Sequence, residues 1–248
     1  MGRITDGIKH LLVINGLFFI GTALYSDQFY QLFSLWYPQN ENFSVWQIVS
    51  HMFMHGGLMH LVFNMYALWA FGSPLERMWG TKKFLFFYFS AGLGAALIHT
   101  GVNYYHVSQG LEALAAAGVP ESDVMSLLRE GKYNETWMQL APRGEVENML
   151  SSFMTPAVGA SGAIYGILVA FGMLFPNSEL FLIFLPVPIK AKYFIPVLIG
   201  LDLFSGVTGY SIFGNGIAHF ANIGGALFGF LMMWYWKRNQ FNKNRWDS

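Results

Sequence analysis

GASGAIYGILVAFGMLF, residues 159–175, has no charged side chain and is almost wholly apolar beyond Ser161. A helix that is apolar all round belongs in a bilayer, because a helix on a soluble core keeps one polar face. Comparable runs at 10–25, 58–74, 84–103, 193–208 and 216–236 join 158–175 as six predicted membrane spans. Composition agrees with that reading. The 248 residues are 54% hydrophobic, 18% aromatic and 11% charged, against about 25% charged in soluble domains. So little charge cannot cover a water-facing surface of this size. The expected fold class is an all-α polytopic membrane protein, one domain over residues 1–248.

Charge gives the expected orientation. The first span follows Arg3 and Lys9 as a secretory signal would, but no convincing small-residue cleavage site follows it, and it is read as a membrane helix. Eleven of the Lys and Arg residues fall in the tails and in the stretches near 76–83 and 179–192. Only Arg129, Lys132 and Arg143 fall on the other side. Positive-inside bias therefore puts both termini in the cytoplasm and makes 104–157 an extracytoplasmic insertion between the third and fourth spans. Short tails and no organelle signal lead to the expectation of a bacterial cytoplasmic (inner) membrane. The insertion carries seven acidic residues against three basic ones and reads as a solvated cap. Residues 43–56 suit a short helix in the outer interface, and 180–188, with two prolines, a re-entrant or interfacial turn.

Several chemistries drop out. The chain has no cysteine, so a nucleophile must be an oxygen, and a formal net charge of zero argues against a nucleic-acid partner. His51 and His55 share the i, i+4 spacing of a metal pair, yet no HExxH or comparable ligand set accompanies them. No metal site is expected, and the two rings are placed at the interface, bonding backbone and water.

Polar side chains at membrane depth are costly and call for a use. His60 and Asn64, four residues apart, share one helix face and could donate hydrogen bonds to developing negative charge. Ser161 opens the fourth span, where the first backbone N–H groups of a helix lack partners and favour an oxyanion. His219 and Asn222 bring polar groups from the sixth span toward the same depth. Asp202, in the fifth, invites completion of a triad, but it lies within two turns of the outer end, where interfacial water or a helix donor can serve it. A structural or gating use is expected. The absence of inverted halves argues against a transporter.

With these residues in view, the chain resembles the rhomboid intramembrane serine proteases. HMFMHGGLMHLVFN (51–64) is similar to the family's second-helix signature, GASGAIYG (159–166) to its nucleophile motif and PLERMWG (74–80) to its cytoplasmic loop. The resemblance implies a six-helix rhomboid bundle and a serine endopeptidase that needs no cofactor and cleaves transmembrane protein substrates within the lipid bilayer, near its outer face. It implies a Ser-His dyad with Ser161 as nucleophile, His60 and Asn64 in the oxyanion site, and Tyr165 buttressing the imidazole, with Gly159, Gly162, Gly225 and Gly229 in support. The last motif, AHFANIGGALFG (218–229), departs from the family's Ala-His-x-x-Gly-x-x-x-Gly. Anchored on Gly225 and Gly229, it puts Asn222 where the catalytic histidine belongs; anchored on Ala218, it makes His219 the base. An amide cannot take a proton as imidazole does. The glycine register therefore implies either a silenced protease or a pseudoprotease that binds or escorts membrane clients.

Overall fold

The computed structural model describes residues 4–182, 185–210 and 218–243. Arg3 and Arg245 of the basic count, and the first two residues of the sixth predicted span, lie outside them. The helices are α1 (Asp6–Phe33), α2 (Gln47–Ser50), α3 (Leu58–Trp79), α4 (Thr81–Ala116), α5 (Glu121–Arg129), α6 (Trp137–Leu140), α7 (Arg143–Met154), α8 (Ser161–Leu174), α9 (Ala191–Thr208) and α10 (His219–Lys243). A single 3₁₀ turn, His51–Phe53, follows α2.

Among the described residues, α1, α4 and α9 are long and apolar enough to cross a membrane, and α8 is a shorter apolar helix. The stretch that opened the sequence reading is the centre of the bundle. Ten of the fourteen residues of α8 are buried, and α3, α4, α9 and α10 pack around it. Its all-round apolarity reflects protein on every side. The helices outside it carry the exposed apolar side chains, such as Leu17 and Leu24 on α1, Val207 on α9 and Leu231 on α10, as expected where the solvent is hydrocarbon.

At the end of the bundle away from Ser161, one carboxylate ties three helices together. Glu76, near the end of α3, accepts hydrogen bonds from the Gly7 and Ile8 amides (2.7 and 2.9 Å), from the Thr81 hydroxyl (2.6 Å) and from the Thr5 hydroxyl. The first turn of α1 leaves its N–H groups without helical partners, and a buried negative charge satisfies them while meeting the positive helix end. Beside it, Lys83 Nζ lies 4.1 Å from the Trp236 ring centroid, and Trp79 packs edge-on against Trp236.

Three local readings are corrected. The third span was expected to end near 103, yet α4 continues for 36 residues to Ala116, about 54 Å at 1.5 Å per residue. Its last turns leave the bundle and join α5, α6 and α7 in a second core, in which Val107 and Leu114 meet Leu128, Trp137, Met149 and Phe153. Gly110 permits this approach, since a Cβ there would stand 2.5 Å from the Met149 Cβ. The insertion is therefore a packed helical unit continuous with α4. The stretch 180–188, expected as a turn and not a span, falls within an antiparallel pair of strands the sequence reading did not foresee, β1 (Glu179–Leu182) and β2 (Leu185–Lys190), with Glu179 opposite Lys190; residues 183–184 lie outside the described residues. Finally, α1 extends to Phe33 through a break at Ser26, whose φ of 44° is left-handed.

Candidate active site

Ser161 is the first residue of α8, and the loop leading to it is held from outside. The Gly159 amide donates to the His51 carbonyl (2.9 Å), and Leu35 and Ala157 exchange two backbone hydrogen bonds. Gly159 has φ +124°, a conformation that favours glycine because any Cβ is strained there. A Cβ at this position would stand 2.9 Å from both Cε1 and Nε2 of His60, and 3.7 Å from Ser161 Oγ. The His60 ring from α3 and the Ser161 hydroxyl from α8 therefore close on one spot, kept open by the absence of that methyl.

Asn64 lies one turn further along α3. It is buried, and its Nδ2 has no acceptor among the described residues, which leaves a donor available one turn from His60. His55 packs edge-on against the His60 ring at 5.0 Å. His51 and His55, expected at the interface bonding backbone and water, are themselves buried, 6% and 1% exposed, with each Nδ1 against a backbone carbonyl. His51 Nδ1 donates to the Gln47 carbonyl (2.8 Å). Burial pushes both rings down to about 4, with the nearby His60 adding to the shift at His55. Both are neutral near pH 7 and act here as hydrogen-bonding and packing groups.

The α8–α10 contact fixes the remaining side chains. A Cβ on Gly225 would fall 1.7 Å from the Gly162 carbonyl oxygen, and one on Gly229 would fall 2.5 Å from Gly166 Cα. The two backbones touch, as small residues at a helix crossing allow. One turn before Gly225, Asn222 is buried and donates through Nδ2 to Asp202 Oδ2 (2.9 Å); its Oδ1 has no donor among the described residues. His219 Nδ1 lies 2.5 Å from the other oxygen of Asp202. Tyr165, from α8, lies near enough to the same carboxylate to feel its charge.

A model of the rhomboid domain matches residues 42–239. The chain belongs to the rhomboid family. It is 29% identical over 184 residues to the presenilin-associated rhomboid-like protein, mitochondrial, of Bos taurus, covering 74% of this chain and 35% of the relative. It is 26% identical over 188 residues to rhomboid protein 1, mitochondrial, of Saccharomyces cerevisiae, covering 76% and 41%. A shorter match, 38% over 52 residues, is to rhomboid protease GluP of Bacillus subtilis, covering 21% of this chain and 10% of the relative. The rhomboid thus aligns with well under half the length of the relatives it matches most extensively.

Those relatives correct one expectation. The bacterial cytoplasmic membrane inferred above is withdrawn, because the two proteins matched over about three quarters of the chain are mitochondrial by name. Charge bias orients a chain in a bilayer but does not say which bilayer it is.

The structure also corrects the reading of Asp202. Its carboxylate is 1% exposed and meets His219, Asn222 and Tyr165, where interfacial water or a helix donor had been expected. The reason is geometric: His219 and Asn222 are three residues apart on α10 and face α9 together. Sequence reasoning passed over His99 altogether. It sits within α4, pairs with Asn103 (Nε2···Nδ2 3.1 Å), and lines with Ser161 and His51 a small cavity of about 10 Å³, a space that matches about one water. The signal was present, since His99 is a polar side chain inside a predicted span.

Proposed function

We propose that this rhomboid is an intramembrane serine endopeptidase in design, with Ser161 as nucleophile and with the base position occupied by Asn222. The observation that carries the reading is the closure of the His60 ring and the Ser161 hydroxyl on the space beside Gly159. In the reaction, Ser161 Oγ attacks the carbonyl carbon of a peptide bond in a transmembrane substrate and gives its proton to a base. The carbonyl oxygen becomes an oxyanion, which the His60 ring, the Asn64 amide and the Ser161 backbone N–H are disposed to stabilise; each such donor is worth about 10²–10³ in rate. The C–N bond then breaks, the leaving amine takes the proton, and water hydrolyses the Ser161 ester. The mitochondrial names of the relatives support a mitochondrial membrane as its place of action.

Asparagine cannot perform the proton step. A serine hydroxyl without a neighbouring base is a weak nucleophile, and removal of a triad base leaves only the contribution of the oxyanion site and binding. A second reading, a pseudoprotease that binds or escorts transmembrane clients, is favoured by the Asn222 amide bond to Asp202, which completes a buried network without an imidazole at 222.

The test is cleavage of a model transmembrane substrate in liposomes by the chain as it stands, by Asn222→His and by Ser161→Ala in both backgrounds. The expected result is cleavage by Asn222→His at least about 10³-fold above the unmodified chain, abolished by Ser161→Ala in a protein that still folds. Cleavage by the unmodified chain that stops with His219→Ala would assign the base to His219. A folded Asn222→His form that binds substrate and does not cleave it would leave the pseudoprotease.

A further inference from the structure

Asp202 is a carboxylate buried where charge is expensive, and among the described residues its hydrogen-bond partners His219 and Asn222 come from a helix other than its own. An ion removed from water costs several kcal/mol unless its lone pairs are filled. The chain fills them with Asn222 Nδ2 and His219 Nδ1 from α10, with Tyr165 of α8 nearby. Hydrophobic side chains in place of the whole cluster, carboxylate included, would satisfy packing at lower cost, so packing alone does not account for it. What the carboxylate does geometrically is accept N–H groups from the two α10 positions that could carry a base for Ser161.

We propose that Asp202 is a positioning residue of the proteolytic chemistry: its carboxylate fixes the tautomer and direction of the imidazole that serves Ser161. The proposal rests on the protease reading above and extends it from two groups to three. A carboxylate acceptor keeps the proton on the nitrogen it faces, so a neutral ring offers its other nitrogen as the base. For position 222 the argument is stereochemical. The Nδ2 of asparagine and the Nδ1 of histidine are both bonded to Cγ, so an imidazole at 222 inherits the bond to Asp202 Oδ2 and turns its Nε2 away from the carboxylate. The site already holds the third group of a Ser-His-Asp arrangement, and the Asn222 amide occupies the place of the ring. During reaction the proton of Ser161 passes to Nε2, and the resulting imidazolium lies beside the carboxylate.

Two measurements on the full-length chain test this. The first is proton NMR of [15N]histidine-labelled Asn222→His protein in micelles, with the Nδ1–H resonance assigned by comparison with the unmodified chain. A downfield Nδ1–H signal at residue 222 that disappears in Asn222→His/Asp202→Asn is expected. A folded Asn222→His protein without it overturns the proposal, whether or not the protein cleaves.

The second is the pH profile of cleavage by Asn222→His with and without Asp202→Asn. The titratable groups facing the carboxylate among the described residues are Tyr165 from α8 and His219 from α10, so the same pair is measured with His219→Gln to isolate residue 222. Asp202→Asn is expected to lower kcat by at least about 100-fold with little change in KM, and to move the acid limb of kcat/KM to lower pH. That direction follows because the imidazolium loses the neighbouring charge that favoured it. An unchanged kcat and acid limb in folded protein would make Asp202 structural and overturn the proposal. Absence of cleavage by Asn222→His while the Nδ1–H signal is present would overturn the protease reading and leave the positioning intact.

Discussion

Gly225 of α10 meets Gly162 of α8 backbone to backbone, so that a Cβ added to Gly225 would lie 1.7 Å from the Gly162 carbonyl oxygen. Neither helix can yield locally, because the obstacle is main chain. Gly225→Ala is expected to push the helices apart, at or above the upper end of the ~1–3 kcal/mol typical of overpacking, and to lower the thermal midpoint in detergent. Gly101→Ala, at a position where nothing lies within 4 Å, is the matched control and should leave the midpoint unchanged. Equal midpoints for the two variants would mean that α8 and α10 do not cross here.

The Glu76 network should matter far from the site. Glu76→Ala removes the acceptor for two amides of α1 and two hydroxyls, leaving buried donors unpaired at about 1–3 kcal/mol each before water or rearrangement relieves them. The expected outcome is a clearly lower thermal midpoint, with Glu76→Gln intermediate because an amide still accepts but brings no charge to the helix end. Amide exchange should quicken first in the opening turn of α1. Unaltered exchange there would assign the capping of α1 to other groups.

His60→Ala and Asn64→Ala are expected to slow turnover more than they weaken substrate binding. Groups that act on developing negative charge are felt mainly in the transition state. In an active background, each should reduce kcat by about 10²–10³ with KM nearly constant. A raised KM with kcat unchanged would make them substrate-binding groups instead.

Gly159→Ala should be nearly as damaging as loss of Ser161. The residue has φ +124°, and its Cβ would stand 2.9 Å from the His60 ring, so both backbone and ring must move. In the Asn222→His background, labelling of Ser161 by a fluorophosphonate reports this without needing substrate, and it should fall sharply when Gly159→Ala is added. Full labelling would show that the ring and the loop can give way.

Much of this was readable in one dimension. Residues 159–175 declared a membrane helix through the absence of any polar face, though not its place at the centre of the bundle, and the four-residue spacing of His60 and Asn64 put both on one side of α3 before any coordinate was known. The glycines at 225 and 229 pointed to a close crossing, because a residue without Cβ inside a span is weak as structure and useful as a contact. Locally anomalous positions were legible where their neighbours in sequence supplied the contrast. The strands at 179–190 were not, because prolines within an apolar run read as a turn until the pairing of Glu179 with Lys190 is seen.

The sequence by itself determined the solvent of this protein, the residues that could carry chemistry and the helix faces they occupy, since these follow from composition and from the 3.6-residue period of a single element. It left the partner of each polar group undetermined. That Asp202 serves His219 and Asn222, seventeen and twenty residues away, and that Glu76 caps a helix sixty-nine residues before it, was decided only when helices came into register side by side. A buried charge is tolerated only where donors from other helices converge on it, and convergence is a property of the packed bundle that no segment possesses alone.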